Sequence, residues 1–435
     1  MTTLIGRRFR AHMTEPLHRT AWSLMTSTLL TAVLGIGFWA IAARVYPPYV
    51  VGRDGALISS MATIAALCQL NMSNVIVRFL PQVRHRVGRR VLDAYASAVA
   101  VSLLGSTAFV LVAPLASSEF NFLREEPMLS ITFVAATAAW AVFVLEDSVL
   151  TALGRATWLP IENGSFSAMK ILSLPAAFFL ISGHGVFVAW VAPMFVTVPV
   201  INWLIARRVV PKAAVDQRDA QGVLEVFGRR RLLAFLAQDF LGAAFGQIAL
   251  TAIPLLVVGF LGARENAYFY IPFTLVTTFD LMFLAVTTSL TTEAARSPHR
   301  VQELTATVIR RFLIVQVPVS LLIVAAAPLV LLPFGHGYVE HGTTLLRLLA
   351  ATSCFRSLLF LLSAMARLEG HGKRLLMLGG ALASVLVTLI AVLAPRDGLD
   401  GVGLAWMLAH AGVALLLLPT LLGALRHPNV AAVSR

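Results

Sequence analysis

The sequence predicts an all-α polytopic membrane protein, with about twelve transmembrane helices in two pseudo-symmetric six-helix bundles. Three observations lead there. Apolar residues make up 58% of the chain and charged residues only 13%, against roughly 25% charged in a soluble domain, and the mean hydropathy is +0.83. Apolar stretches of about 20 residues, each able to cross a bilayer as a helix, recur from end to end. Lysine and arginine alternate in density from loop to loop, as the positive-inside rule requires of helices that cross repeatedly. Barrel strands would show ~10-residue alternating segments instead.

The first span, 21–45, follows a basic flank that includes Arg7-Arg8; its apolar run is too long for a signal-peptide core. The second, 54–80, ends at Leu80-Pro81 before the basic anchor "RHRVGRR". The third to sixth are 91–117, 128–150, 164–182 and 186–206, the last two parted only by "GHG" (183–185). The seventh to tenth are 231–260, 266–292, 308–333 and 343–364, the ninth and tenth flanking the turn "FGHGYVEHG" and the tenth ending before "EGHGKR". The eleventh and twelfth, 375–393 and 401–423, flank "PRDGLDG", a strong turn signal.

With the N-terminus placed in the cytoplasm, the inside segments hold 25 Lys/Arg and the outside loops 5, with 4 inside spans. The alternation never changes phase, so both termini are expected in the cytoplasm. The net charge of +13 then belongs to a face opposite anionic lipid headgroups, which argues against nucleic acid as a partner. Cys68 and Cys354 lie in apolar runs and read as buried small hydrophobes.

The longest hydrophilic segment, 207–230, falls after the sixth span. It reads as a basic linker between an N-terminal bundle (1–206) and a C-terminal bundle (231–435). Six spans per half make any repeat parallel. "FWAIAARVYPPYVVGRDGALIS" and "LLVVGFLGARENAYFYIPFTLV" occupy matching places in the halves, each running from an apolar helix through Ala-Arg into the next.

Ionisable groups inside spans carry the functional reading, because each costs about 2.5–3.5 kcal/mol at the bilayer centre. Asp280 and Arg356 lie near mid-span: they form a mutual ion pair or face a wet cavity. Asp239 and Lys170 lie about two turns from the cytoplasm, Glu146 and Asp147 near the end of span 4, and Arg78 at the end of span 2. For Arg78, Lys170, Glu146 and Asp147 the plainer alternative is snorkelling to the interface. Gln69, Asn71, Ser73 and Asn74 form a polar run at the cytoplasmic half of span 2. Asn71, Asn74 and Arg78, at i, i+3 and i+7, fall close to one helix face, expected to line a cavity wall. His336 and His341 read as a solvated turn rather than a metal site. No His-Glu-x-x-His, Gly-x-Ser-x-Gly or P-loop occurs, so no catalytic residue and no metal ligand is assigned, and no cofactor is expected.

"VGRDGALISSMATIAALCQLNMSNVIVRFLPQ" (Val51–Gln82), opened by "ARVYPPYVVGR", resembles the second helix of bacterial polysaccharide-export flippases of the multidrug/oligosaccharidyl-lipid/polysaccharide exporter superfamily. "SLTTEAAR" (289–296) and "LLRLLAATSCFRSLLFLLSAMARLEGHGKR" (345–374) resemble second-half counterparts. The resemblance implies a V-shaped, two-bundle O-antigen-flippase-like transporter in the bacterial inner membrane. It would move a polyprenyl-pyrophosphate-linked oligosaccharide to the outer leaflet by alternating access, as a monomer among membrane lipids and other polysaccharide-assembly proteins. A pyrophosphate needs cationic partners: Arg44, Arg53, Arg78, Lys170 and Arg356 are available, with Gln69, Asn71 and Asn74 for the sugar. A coupling cation, Na+ or H+, would need a buried carboxylate, for which Asp239 and Asp280 are the candidates.

Two other readings compete. A multidrug/cation antiporter of the same superfamily commonly places an acid in its first helix, and span 1 has none. A membrane polymerase or ligase would carry a large outer loop, and the outside loops here are all short.

Overall fold

The computed structural model describes residues 16–69, 72–82, 87–181, 183–211, 253–296, 301–368 and 372–426. Its backbone is helical along nearly all of that length. In chain order the helices are α1 (Pro16–Val45), α2 (Pro48–Cys68), α3 (Met72–Phe79), α4 (Val87–Ala116), α5 (Pro127–Ala152), α6 (Leu159–Leu180), α7 (Gly185–Val191) and α8 (Met194–Leu204). There follow α9 (Ile253–Leu261), α10 (Ala263–Arg296), α11 (Val301–Arg311), α12 (Val317–Ala325), α13 (Ala327–Leu331), α14 (His336–Leu368) and α15 (Gly372–Arg426). Eight of these stretches are individually long and apolar enough to cross a membrane, and a helix meets each of the twelve expected spans.

Breaks fall where backbone freedom or side chains impose them. Gly398, at φ 59° and ψ −135°, interrupts α15 inside "PRDGLDG" and separates the last two spans. Gly183, at φ 93°, opens the turn between α6 and α7. Positive φ costs a glycine little. The second span is broken, not continuous: Met72 N donates to Gln69 O at 2.8 Å, and α3 starts afresh there. Two stretches wind as π-helix, Ile205–Val209 continuing α8 and Phe312–Gln316 joining α11 to α12.

The chain divides into two compact units. The first takes residues 1–45 and 60–237, the second 46–59 and 238–435. Residues 46–59, which the expected division (1–206 and 231–435) put in the first bundle, group here with the second unit. The reason is local. A side chain at Gly52 would place its Cβ 1.7 Å from Ala263 O, so only glycine lets α10 come this close, and Asn266 Nδ2 donates to Gly52 O at 2.7 Å across the contact. The basic linker, expected from 207, also starts later: Arg207 and Arg208 belong to the π-wound turn, with the Arg207 guanidinium 4.9 Å from the Trp203 ring. Residues 212–230 of the linker lie outside the described residues.

In the first unit α1 packs on α6, α4 on α5, and α3 and α8 on α5. In the second, α14 packs on α10 and α15. Leu104, Leu111, Leu115, Phe179, Leu180, Leu321, Leu322 and Leu416 are exposed. Hydrocarbon solvates such a surface as well as protein does, so apolar side chains outside the cores carry no penalty in a bilayer.

Candidate functional site

The first unit holds two polar groups strung along one face of α6. Lys170 is 6% exposed. Its ammonium sits 4.7 Å from the Phe166 ring, 4.9 Å from Trp190 and 5.9 Å from Phe38. The walls are held in turn: Trp190 meets Trp140 at 4.9 Å and Phe166 at 5.6 Å, and Phe143 meets Phe166 at 4.8 Å. Ring faces carry negative quadrupole charge and attract a cation, but they do not neutralise it. Among the described residues Lys170 has no carboxylate partner. Snorkelling does not describe it; the side chain is inside the protein.

Two turns nearer the start of α6 lies an acidic cluster. Glu146 on α5 and Glu162 on α6 are 0% and 1% exposed, with their carboxyls in hydrogen-bonding reach of each other. Asn202 Nδ2, from α8, donates to Glu146 Oε1. Asn163 Nδ2 donates to Asp147 Oδ1 at 3.1 Å and to Ser27 Oγ at 3.2 Å, tying α1, α5 and α6 together. Glu146 is thus buried rather than snorkelled. The sequence reading missed Glu162 by starting the fifth span at 164. Pro160, in the first turn of α6 where proline is favoured, marks the true start and puts Glu162 in the same turn.

In the second unit, Asp280 on α10 and Arg356 on α14 form a buried ion pair, Arg356 Nη1 donating to Asp280 Oδ2. The guanidinium also lies 5.1 Å from the Trp406 ring and 5.6 Å from Phe360. Ser353 and Gln316, the latter on the π-wound stretch, stand beside Asp280. The His410 ring packs tilted against Trp406, with centroids 4.4 Å apart, and its Nδ1 lies 2.8 Å from Trp406 O. Of the two sequence alternatives for Asp280 and Arg356, this is the mutual ion pair. As long as it holds, Arg356 is not available to a pyrophosphate nor Asp280 to a coupling cation.

Gln69 also differs from expectation. It is buried, its Nε2 donates to Ala141 O on α5 at 3.4 Å, and Ser73 Oγ donates to its Oε1 at 3.3 Å. Its amide serves the helix break and the packing of its own unit. Arg44 is exposed at the end of α1, and Arg53 is half-buried on α2 in the other unit. Asn71 and Asp239 lie outside the described residues. Asn74 and Arg78 are on α3, but their side chains lie outside what is described. Cys68 and Cys354 are free thiols.

No protein-family model matches the chain, and no curated protein matches it in sequence. Solved structures do match. One is the inward-facing conformation of a multidrug resistance MATE family transporter of the MOP superfamily, with TM-score 0.66, 18% identity, and 93% of this chain and 94% of that one covered. A MATE structure in complex with MaD5 gives TM-score 0.63 at 14% identity, covering 96% of each chain. A MOP superfamily transporter from Pyrococcus furiosus, described as having a binding pocket of reversed polarity that suggests a different function, gives 0.61 at 16%, covering 95% and 96%. This protein has the all-helical membrane fold of these transporters along nearly its whole length.

Proposed function

We propose that the protein is a transporter that moves a polyprenyl-pyrophosphate-linked oligosaccharide from the inner to the outer leaflet of the bacterial inner membrane by alternating access, for cell-surface polysaccharide assembly. The observation that carries this reading is Lys170, a buried cation walled by aromatic rings and without an anion partner among the described residues. A charge kept from both water and a counter-ion is expensive, and an anionic headgroup would supply the missing partner through a charge-assisted hydrogen bond. The surrounding rings suit the hydroxylated and apolar faces of a sugar. Arg44 and Arg53 remain further cationic candidates. Both termini are placed in the cytoplasm, on the side carrying most of the basic charge.

One observation favours a second reading, a multidrug/cation antiporter: the acidic cluster of Glu146, Asp147 and Glu162 would attract a cation. Against it, α1 has no acidic residue.

The test is genetic and biochemical. Deleting the gene should leave lipid-linked saccharide in the inner leaflet with glycosyltransferase activities intact. The wild-type gene should restore export. Lys170→Met should not, at equal membrane protein level; a hydrogen bond to a charged group is worth roughly 1.5–3 kcal/mol, so about tenfold or more is expected to be lost. Normal polymer export in the null strain would sink the proposal.

A further inference from the structure

The geometry points to a proton-binding site in the N-terminal unit, where Glu146 and Glu162 hold one proton between them and release it during the transport cycle. The release step rests on the transporter reading above; the shared proton does not.

Two carboxylates cannot face each other inside a protein without a cation or a proton between them. Glu146 and Glu162 are almost wholly enclosed and within hydrogen-bonding reach of each other. Carboxylate oxygens are acceptors only; a proton on one of them creates the donor that the pair needs. Among the described residues the rest of the neighbourhood offers no substitute. From α8, Asn202 gives its amide to Glu146 Oε1, and Glu146 Oε2 and both Glu162 oxygens receive no hydrogen bond from the described residues. From α5, Asp147 adds negative charge and is itself served by Asn163 of α6. From α1 comes Ser27, whose hydroxyl donates to Leu159 O at 3.3 Å. Among the described residues no lysine, arginine or histidine pairs with either glutamate, and Lys170 lies eight residues along α6 from Glu162, beyond Phe166.

A second feature points to something that comes and goes at this place. Tyr95 of α4 is 8% exposed, and its hydroxyl has no hydrogen-bond partner among the described residues although it lies in the field of both carboxyls. A buried phenol normally finds an acceptor. Here it is a donor held in reserve: when the shared proton leaves, the two carboxylates gain one negative charge, and the Tyr95 hydroxyl stands ready to bond to it. The balance is simple. The carboxylic acid of one glutamate loses H+ to water, both glutamates become carboxylates, and no other bond changes. The start of α6 and the ends of α5 and α8 meet here, the side that the positive charge marks as cytoplasmic, so exchange is with that compartment.

Infrared spectroscopy of the full-length protein in lipid tests this without any cargo. At neutral pH the wild type should show a protonated-carboxyl C=O stretch that shifts in D2O and is lost on alkaline titration. Glu162→Gln should remove this component, Glu146→Gln should do so independently, and Asp147→Asn should leave it. Tyr95→Phe should move its titration to higher pH by making the doubly ionised pair harder to form. Absence of a D2O-sensitive protonated carboxyl in the wild type at neutral pH overturns the proposal whether or not the variants fold. So does a band that NaCl titrates away at constant pH, which would make this a sodium site. Failure of the export test leaves the infrared result standing, so the two ideas fail separately.

Discussion

Asp280 and Arg356 show how differently two buried charges can be held. Their pair is direct, enclosed and flanked by Trp406 and Phe360, so each is the condition for the other's burial. Such a pair adds little over a well-packed apolar alternative, but removing one partner strands the other at a cost of about 3–5 kcal/mol. Asp280→Asn and Arg356→Leu should each lower the thermal unfolding temperature in detergent markedly, and the double variant should recover much of the loss. If the single variants unfold like wild type, the pair does not hold the two helices together. Lys170 is the contrasting case, a buried cation with no carboxylate partner among the described residues. Sequence could place Lys170 inside a span, but not its lack of a counter-charge, because that is a fact about every neighbour at once.

The helices show which features a sequence announces. Gly398 in "PRDGLDG" and Gly183 in "GHG" break the chain where the turn residues say so. The break after Cys68 has no proline or glycine to announce it. It rests on Gln69 reaching Ala141 O, 72 residues away, and a hydropathy pattern reads through it. Glu162 escaped for the opposite reason: a hydropathy window discards the polar first turn of a helix, although Pro160 marks its start. Close approach leaves a sharper mark. At Gly52 a Cβ would lie 1.7 Å from Ala263 O and 2.7 Å from Ala267 N, both backbone atoms. Gly52→Ala should therefore force α2 and α10 apart and destabilise the protein by about 1–3 kcal/mol, the usual range for overpacking. Gly259→Ala, with nothing within 4 Å of its Cβ, should cost far less. Equal unfolding temperatures for the two variants would show that the Gly52 contact is not tight.

At the scale of the molecule, class and span count were legible because a bilayer imposes length and apolarity on every crossing. The assignment of residues 46–59 was not, since chain order places them with the first unit and only the α2–α10 contact reveals otherwise. The charge alternation makes a further prediction. With Cys68 and Cys354 replaced, single cysteines at Ser118 and Asp397 should react with a membrane-impermeant thiol reagent in intact spheroplasts, and one at Thr157 only after the membrane is opened. The reverse pattern would invert the proposed orientation. The leucine-rich outer surfaces have a consequence of another kind. A position such as Leu104 or Leu416 has only to be oily, so one aliphatic side chain replaces another there almost without selection. Positions such as Lys170, Asp280 and Gly52 answer to particular atoms. Over evolutionary time the lipid-facing letters of such a sequence can be rewritten freely, while its architecture persists in a small set of interior residues.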